Sequence, residues 1–385
     1  MGIRCNLWVT ASAIALVPVL GFSANLNDVA ERVESLEGSI ELLEEANAEL
    51  RTEIDNRMEI SGYVDVEYTR KKKDTDGSPA SHGFRMHHLS LFFKKKISDK
   101  WRFFSEIEYE DAPKIDNEGG GKVTVDTGGG TGTAEVFDFG DANGKIFVEA
   151  VNIDFLWRPE AIFRFGRFFT PAGLWSVDHY PPFVSMQERP RHIRRIFPQL
   201  VDGAMVYGTM PVGKHFVNYD AFVGNGEENN GHGDSDTGKA FGLKASAVLA
   251  VPMFSHLEVG GTGYQDTDYR GSEKAKTALG VHAKMKMSDV AFQTEAAYAK
   301  FEDDSSETRK GYYVQLAYEP NQWSGGYRYD YYNVGTSTVD RVVHALFVNY
   351  RVNTNLVVKV EHHMQSQEDK DDETKTIVSI VSYLE

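Results

Sequence analysis

Thiols are all but missing from this chain. Its single cysteine, Cys5, lies near the amino end in a stretch that reads as a leader. The mature protein is then without disulfides or thiol chemistry and suits an oxidising envelope. After residue 24 no apolar run reaches the about 20 residues that a transmembrane helix needs. Positive charge is in deficit: 41 Lys and Arg stand against 57 Asp and Glu, a net charge of −16, which argues against nucleic acid as a partner. There is no nucleophile elbow, paired-cysteine site or His-Glu-x-x-His run, and Gly128-Gly-Gly130 lacks the Lys-Ser or Lys-Thr of a phosphate-cradling loop. The expectation is a protein that is not an enzyme and uses no cofactor.

Metal binding is not expected either. His87-His88 and His362-His363 are adjacent, and neighbouring strand residues point to opposite faces. Asp74-Thr-Asp-Gly77 and Asp234-Ser-Asp-Thr-Gly238 resemble calcium-loop fragments without the later glutamate and read as Asx-turns.

Residues 1–24 read as a secretory signal: Arg4, an apolar core from Leu7 to Leu20, then Gly21-Phe-Ser-Ala24. From 25 to 58 the apolar residues repeat in heptads. Leu26, Val33, Ile40, Asn47 and Ile54 take a, and Val29, Leu36, Leu43, Leu50 and Arg57 take d, the seam of a coiled coil about 48 Å long. Arg32 at g faces Glu37 at the next e. The seam Val33, Leu36, Ile40, Leu43, Asn47, Leu50 and Ile54 is expected to oligomerise the chain. Asn47 at a reads as a register and oligomer-state device. β-branched a residues with Leu at d favour dimers in model peptides; a homotrimer is the state expected here.

From residue 59 to 385 the period is two. Leu89, Leu91 and Phe93; Val151, Ile153, Phe155 and Trp157; and Tyr327, Tyr329 and Tyr331 alternate with polar residues, giving strands one apolar and one polar face. Sixteen strands are expected near 60–70, 83–96, 100–111, 146–157, 161–169, 200–210, 214–223, 239–250, 254–267, 276–286, 290–302, 310–319, 323–333, 341–351, 355–366 and 375–384. Every second connection is short, such as 158–160 and 287–289. The others are long and polar, such as 112–145 and 224–238, with a glycine-rich stretch at 119–133. Short turns on one side and long loops on the other mark a sixteen-stranded antiparallel transmembrane β-barrel with both termini in the periplasm. A hydrophobic fraction of only 41% fits, because only alternate residues meet lipid, and 12% aromatics suit girdles at both interfaces. Lumen-facing candidates are Asp65, Glu67, Arg102, Glu106, Asn152, Asp154, Asn218, Asp220, Lys244, Lys284, Glu295, Arg328, Asp330, Lys359 and Glu361. Arg164 and Arg167 cannot both face inward on a regular strand, and a bulge or an early strand end is the expected remedy. The phase of 341–351 and of the last strand stays open.

Proline is sparse, 12 in all, yet five lie in the connection 170–199 together with Leu174, Trp175, Tyr180, Phe183, Ile193 and Phe197. So apolar and stiff a segment is expected to fold into the barrel. It also carries Arg189, Arg191, His192, Arg194 and Arg195, which with Arg164 and Arg167 would form an anion-binding constriction. The alternative is that these arginines only balance carboxylates such as Asp178 and Glu188.

Phe165-Gly-Arg-Phe-Phe-Thr-Pro-Ala-Gly-Leu174, followed by Pro181-Pro-Phe183 and Gly203-Ala-Met-Val-Tyr-Gly208, resembles the phosphate-selective porin family and related trimeric porins with an amino-terminal coiled coil. The resemblance implies a sixteen-stranded trimeric barrel whose third long loop enters the pore, with inward arginines and lysines serving anions. Many barrels of this kind end in an aromatic residue, whereas this chain ends Tyr383-Leu-Glu385. The functional expectation is passive diffusion of small hydrophilic solutes, preferentially phosphate or small carboxylates, across the outer membrane of a Gram-negative-type bacterium. Its partners would be outer-membrane lipid and copies of itself. The alternative is a structural protein whose coiled coil, in the periplasm, tethers the outer membrane to the cell wall.

Overall fold

Strands that alternate in polarity close here into a cylinder with its apolar side outward. The computed structural model describes residues 32, 34–46, 57–74, 79–111, 122–126, 131–135, 145–227, 238–268, 274–302, 307–335, 340–368 and 370–384. The expected signal, the heptad positions Leu26, Val29, Val33, Asn47, Leu50 and Ile54, and residues 75–77, 119–121, 127–130 and 234–237 lie outside the described residues. Among those described, no helix is long and apolar enough to cross a membrane.

The chain divides into two units, Met1–Asn56 and Arg57–Glu385. In the first, residues 34–46 form a helix, α1, on which Leu36, Ile40 and Leu43 are all exposed. The second holds β1 (Glu59–Lys73), β2 (Ser81–Ser98), β3 (Trp101–Glu110), β4 (Lys122–Asp126), β5 (Thr131–Glu135), β6 (Lys145–Arg158), β7 (Ala161–Phe169), α2 (Ile193–Ile196), β8 (Leu200–Val212), β9 (His215–Gly224), β10 (Ala240–Val248), β11 (His256–Asp266), β12 (Lys276–Met287), β13 (Val290–Phe301), β14 (Thr308–Tyr318), β15 (Trp323–Val334), β16 (Asp340–Arg351), β17 (Leu356–Gln367) and β18 (Lys370–Leu384). All but β4 and β5 form one closed antiparallel barrel of sixteen strands. Each expected strand falls on one of them; β7 has the expected bounds, and β18 begins earlier, at Lys370. The connection 112–145, read as long and polar, contains the separate antiparallel pair β4–β5.

Closure joins the two ends of this unit: β1 pairs with β18, Gly62 opposite Leu384 and Lys73 opposite Glu373. Two slips in the ladder shape the inner face. Between β1 and β2, Asp65 opposes His88 and Val66 opposes Met86, leaving His87 as an inserted residue. Between β3 and β6, Glu106 opposes Ala150 and Ile107 opposes Val148, leaving Glu149 inserted. Each is a β-bulge.

Outside, Phe241, Leu243, Leu279, Val281 and Ile380 are each more than half exposed, whereas inside Asp65, Glu106, Arg328 and Lys359 are at most 1% exposed. This inverts the usual distribution of residue types between surface and interior. Aromatic pairs edge the apolar band near the short turns, with Trp101 against Phe155 at 4.9 Å and Trp323 against Tyr350 at 4.7 Å. Tyr312 and Tyr331, 5.4 Å apart, lie nearer the long loops. Packing of the apolar kind does occur within the barrel, where Phe168, Ile196, Phe197, Met205, Phe222 and Tyr264 join residues 170–199 to the inner wall.

Candidate functional site

Five prolines deprive segment 170–199 of amide donors and, outside α2, of regular structure, so its backbone groups need partners elsewhere. The inner wall supplies them. Lys244 donates to the Gly173 carbonyl at 2.6 Å, and Lys359 donates to the carbonyls of Pro181 and Val184 at 2.5 and 2.6 Å. In the reverse sense, the Trp175 amide donates to Glu295 at 3.1 Å and the Gln187 amide to Glu361 at 2.6 Å. Charged partners make these stronger than neutral bonds, and they explain why the wall keeps Glu295, Lys359 and Glu361 buried and Lys244 half-buried. Gly173 permits the fit: its φ is +58°, and a Cβ there would fall 1.7 Å from a Glu295 oxygen. The strap's own Trp175, Met186, Ile193 and Ile196 are buried.

On the long-loop side of the strap lies a cavity of about 740 Å³. Eight of its lining residues are basic, among them Lys71, Arg191, Arg341 and Lys375, and four are acidic: Glu188, Asp330, Asp371 and Glu373. A cavity of about 250 Å³ on the short-turn side contains Lys284, Lys286, Asp178 and Glu319. The deep carboxylates of β3 and β6 are covered. Glu108 accepts from the Tyr63 hydroxyl at 2.6 Å, Glu106 from Ser90 at 2.7 Å and Tyr180 at 3.1 Å, and Glu149 from Gln199 at 2.9 Å.

The arginines expected at a constriction separate into three kinds. Arg164 faces inward, but its guanidinium is taken by Asp154 at 2.7 Å, which also accepts from Arg102 at 2.8 Å and Tyr207 at 2.8 Å. Arg167 corrects the expectation. β7 runs in unbroken register with β8, and Arg167 stands opposite Val151 and Asp202 on the outer face, ion-paired to Asp202 at 2.7 Å. No bulge turns it inward, because an acidic partner satisfies it outside. The third kind is in the strap: none of Arg189, Arg191, Arg194 and Arg195 makes an ion pair among the described residues. Burial and then the neighbouring Arg194 bring Arg189 down to about 10, with Glu149 and Glu108 opposing. Burial and then Arg195 also lower Arg191.

His192 is a second correction. It is 2% exposed, packs against Gly311 and Tyr313, and offers no ring nitrogen to the lumen; burial, then Arg328, pushes it down to about 3. Glu188, a suspected counter-ion for the arginines, instead holds Lys375. Burial would raise that carboxyl, but Lys375 keeps it at about 2. All the proposed wall residues face inward, Arg328 with Asp330 at 2.8 Å and Lys284 beside the lower cavity. The alternation left undecided in 341–351 places Arg341, Val343, Ala345, Phe347 and Asn349 inside.

Unforeseen from the sequence were Lys71, Lys73, Arg341, Lys370 and Lys375 at the mouth. The run Arg70-Lys-Lys-Lys73 was the available signal; its meaning depends on β1 meeting β18. A third correction concerns His87-His88. The bulge brings both rings to one side, 3.6 Å apart, and His88 and His87 lie 3.1 and 3.5 Å from Asp65 oxygens. His362 and His363, in a regular strand, do face opposite ways, toward Thr376 and Glu361.

No family model matches the chain. An uncharacterized protein of Aquifex aeolicus (strain VF5) is 25% identical over 169 residues, 43% of this chain and 32% of that protein; the chain thus aligns with about a third of that relative's length. Among solved structures, an anion-selective porin from Comamonas acidovorans shares 11% identity over 85% of this chain and 99% of its own, with a TM-score of 0.59. OprB of Pseudomonas putida shares 13% over 87% and 96%, with a TM-score of 0.58. OmpT of Vibrio cholerae, in a trimer form, shares 12% over 85% and 100%, with a TM-score of 0.51. At such identities the likeness is one of fold.

Proposed function

We propose that this chain is an outer-membrane porin through which small hydrophilic solutes diffuse passively, with a preference for anions such as phosphate or small carboxylates. The carrying observation is the basic mouth: eight Lys and Arg to four Asp and Glu around a cavity of about 740 Å³, above deep carboxylates capped by hydroxyl and amide donors. Wall lysines that anchor the strap are spent on its carbonyls, whereas Arg191 and Arg195 stay exposed. A solute entering from the long-loop side meets positive charge first, and the strap narrows its path. The outward apolar band belongs in lipid, since each Leu, Val or Phe gains about 1.5–3 kcal/mol on leaving water, and sixteen strands leave an aqueous interior. The porins of like fold support this reading. No energy source or cofactor enters it.

In the same reading residues 1–24 are the removed signal, 25–58 a periplasmic coiled coil and 59–385 the barrel, with 170–199 as its inward loop. The exposed stripe Leu36, Ile40 and Leu43 favours assembly through the helix, for which a homotrimer is the proposed state. That stripe also supports a second role, a spacer between outer membrane and cell wall. Purified protein in a planar bilayer separates the two: a porin gives stable ohmic steps and, in a salt gradient, a reversal potential of anionic sign. A protein that only tethers gives no conductance.

A further inference from the structure

A β-bulge in a regular ladder costs pairing, and this one places chemistry. With His87 inserted, both imidazoles of β2 come to the lumen side against the carboxylate of Asp65, and the ligand atoms of Asp65, His87 and His88 lie within 4.8 Å of one another. We propose that Asp65, His87 and His88 bind a divalent transition-metal ion of the zinc type on the inner wall of the barrel.

Spacing is the first support. The Asp65 Oδ2 atom lies 3.3 Å from His88 Nδ1 and 3.5 Å from His87 Nδ1. Metal–ligand bonds of about 2.0–2.1 Å in a tetrahedron set neighbouring ligands about 3.3 Å apart. Two imidazoles with one carboxylate suit zinc, copper, nickel or iron, and not magnesium or calcium, which take oxygen.

Orientation is the second. The Asp65 Oδ1 atom accepts from the His88 amide at 2.6 Å, which fixes the carboxylate with both of its oxygens within 3.3 Å of His88 Nδ1. Glu67 follows at the next inward position. Its Oε1 is held by Arg85 at 2.6 Å, and Arg85 is held in turn by Asp111 at 2.9 Å. The Glu67 Oε2 atom then faces His87 Nδ1 at 3.2 Å, and both atoms are buried without a hydrogen bond among the described residues.

Charge is the third. Asp65, Glu67 and Asp111 with Arg85 sum to −2, which a divalent ion neutralises. Three protein ligands leave a fourth position for water or a solute from the lumen.

The test uses the full-length protein in detergent, freed of metal by chelation and titrated with zinc by calorimetry. One zinc per chain is expected, undisturbed by excess magnesium. Affinity should fall by at least about tenfold in Asp65→Asn, His87→Asn and His88→Gln, and should be unchanged in His362→Ala with His363→Ala. Copper EPR of the unaltered protein should show hyperfine coupling to two imidazole nitrogens, a readout that survives even if a variant fails to fold. Absence of zinc binding, binding carried by His362 and His363, or a copper spectrum without two imidazoles would overturn the site.

Discussion

Arg164 on the wall and Arg191 on the strap carry the same group and do opposite electrical work. Arg164 shares Asp154 with Arg102 and the Tyr207 hydroxyl, so two guanidiniums and one carboxylate leave a single net charge. Arg191 lines the mouth beside Arg341 with no ion-pair partner among the described residues. Counting arginines in a lumen therefore says little about the field in it. What matters is whether a carboxylate lies within reach, and the strap puts its arginines where the wall acids are already engaged.

The largest test of this contrast removes the strap charges together. A unit charge about 5 Å from a passing ion is worth about 0.8 kcal/mol in water. Replacing Arg189, Arg191, Arg194 and Arg195 by Gln is expected to lower the anion-to-cation permeability ratio about tenfold at low salt, less at high salt, read as a reversal-potential shift toward zero. A smaller change of opposite sign comes from the wall: Asp154→Asn frees Arg102 and Arg164 and should raise anion preference about threefold. Smaller again is the effect of acid on the strap. Glu188 lies at about 2 in the fold against an ordinary 4.5, so its tie to Lys375 contributes fully above the ordinary value and is lost as pH falls through about 2. Current fluctuations should grow below about pH 3, and Glu188→Gln should show them at neutral pH.

How far these features were legible before the structure varies with their cause. Strands such as β15 were readable because Tyr327, Tyr329 and Tyr331 alternate with Arg328 and Asp330, and the alternation of short and long connections told the barrel's two ends apart. The inward strap was readable from five prolines beside Trp175, Ile193 and Phe197. The basic mouth was not, because Lys71 and Lys375 become neighbours only when β1 pairs with β18. Bulges were equally opaque: His87 and Glu149 are single insertions that leave no mark on apolar periodicity until the opposing strand is known. Arg167 was misplaced for want of its partner, since Asp202 sits across the ladder from it.

The central claim, that the strap arginines stand in the conducting path and Arg167 does not, is tested most directly by thiol accessibility. The only native cysteine is Cys5, so Arg191→Cys and Arg167→Cys each provide one reporter in the barrel. A bulky neutral thiol reagent added to an open channel should cut the current of the Arg191→Cys protein in discrete steps and leave that of Arg167→Cys unchanged. Unchanged current through Arg191→Cys, or block through Arg167→Cys, would contradict the account.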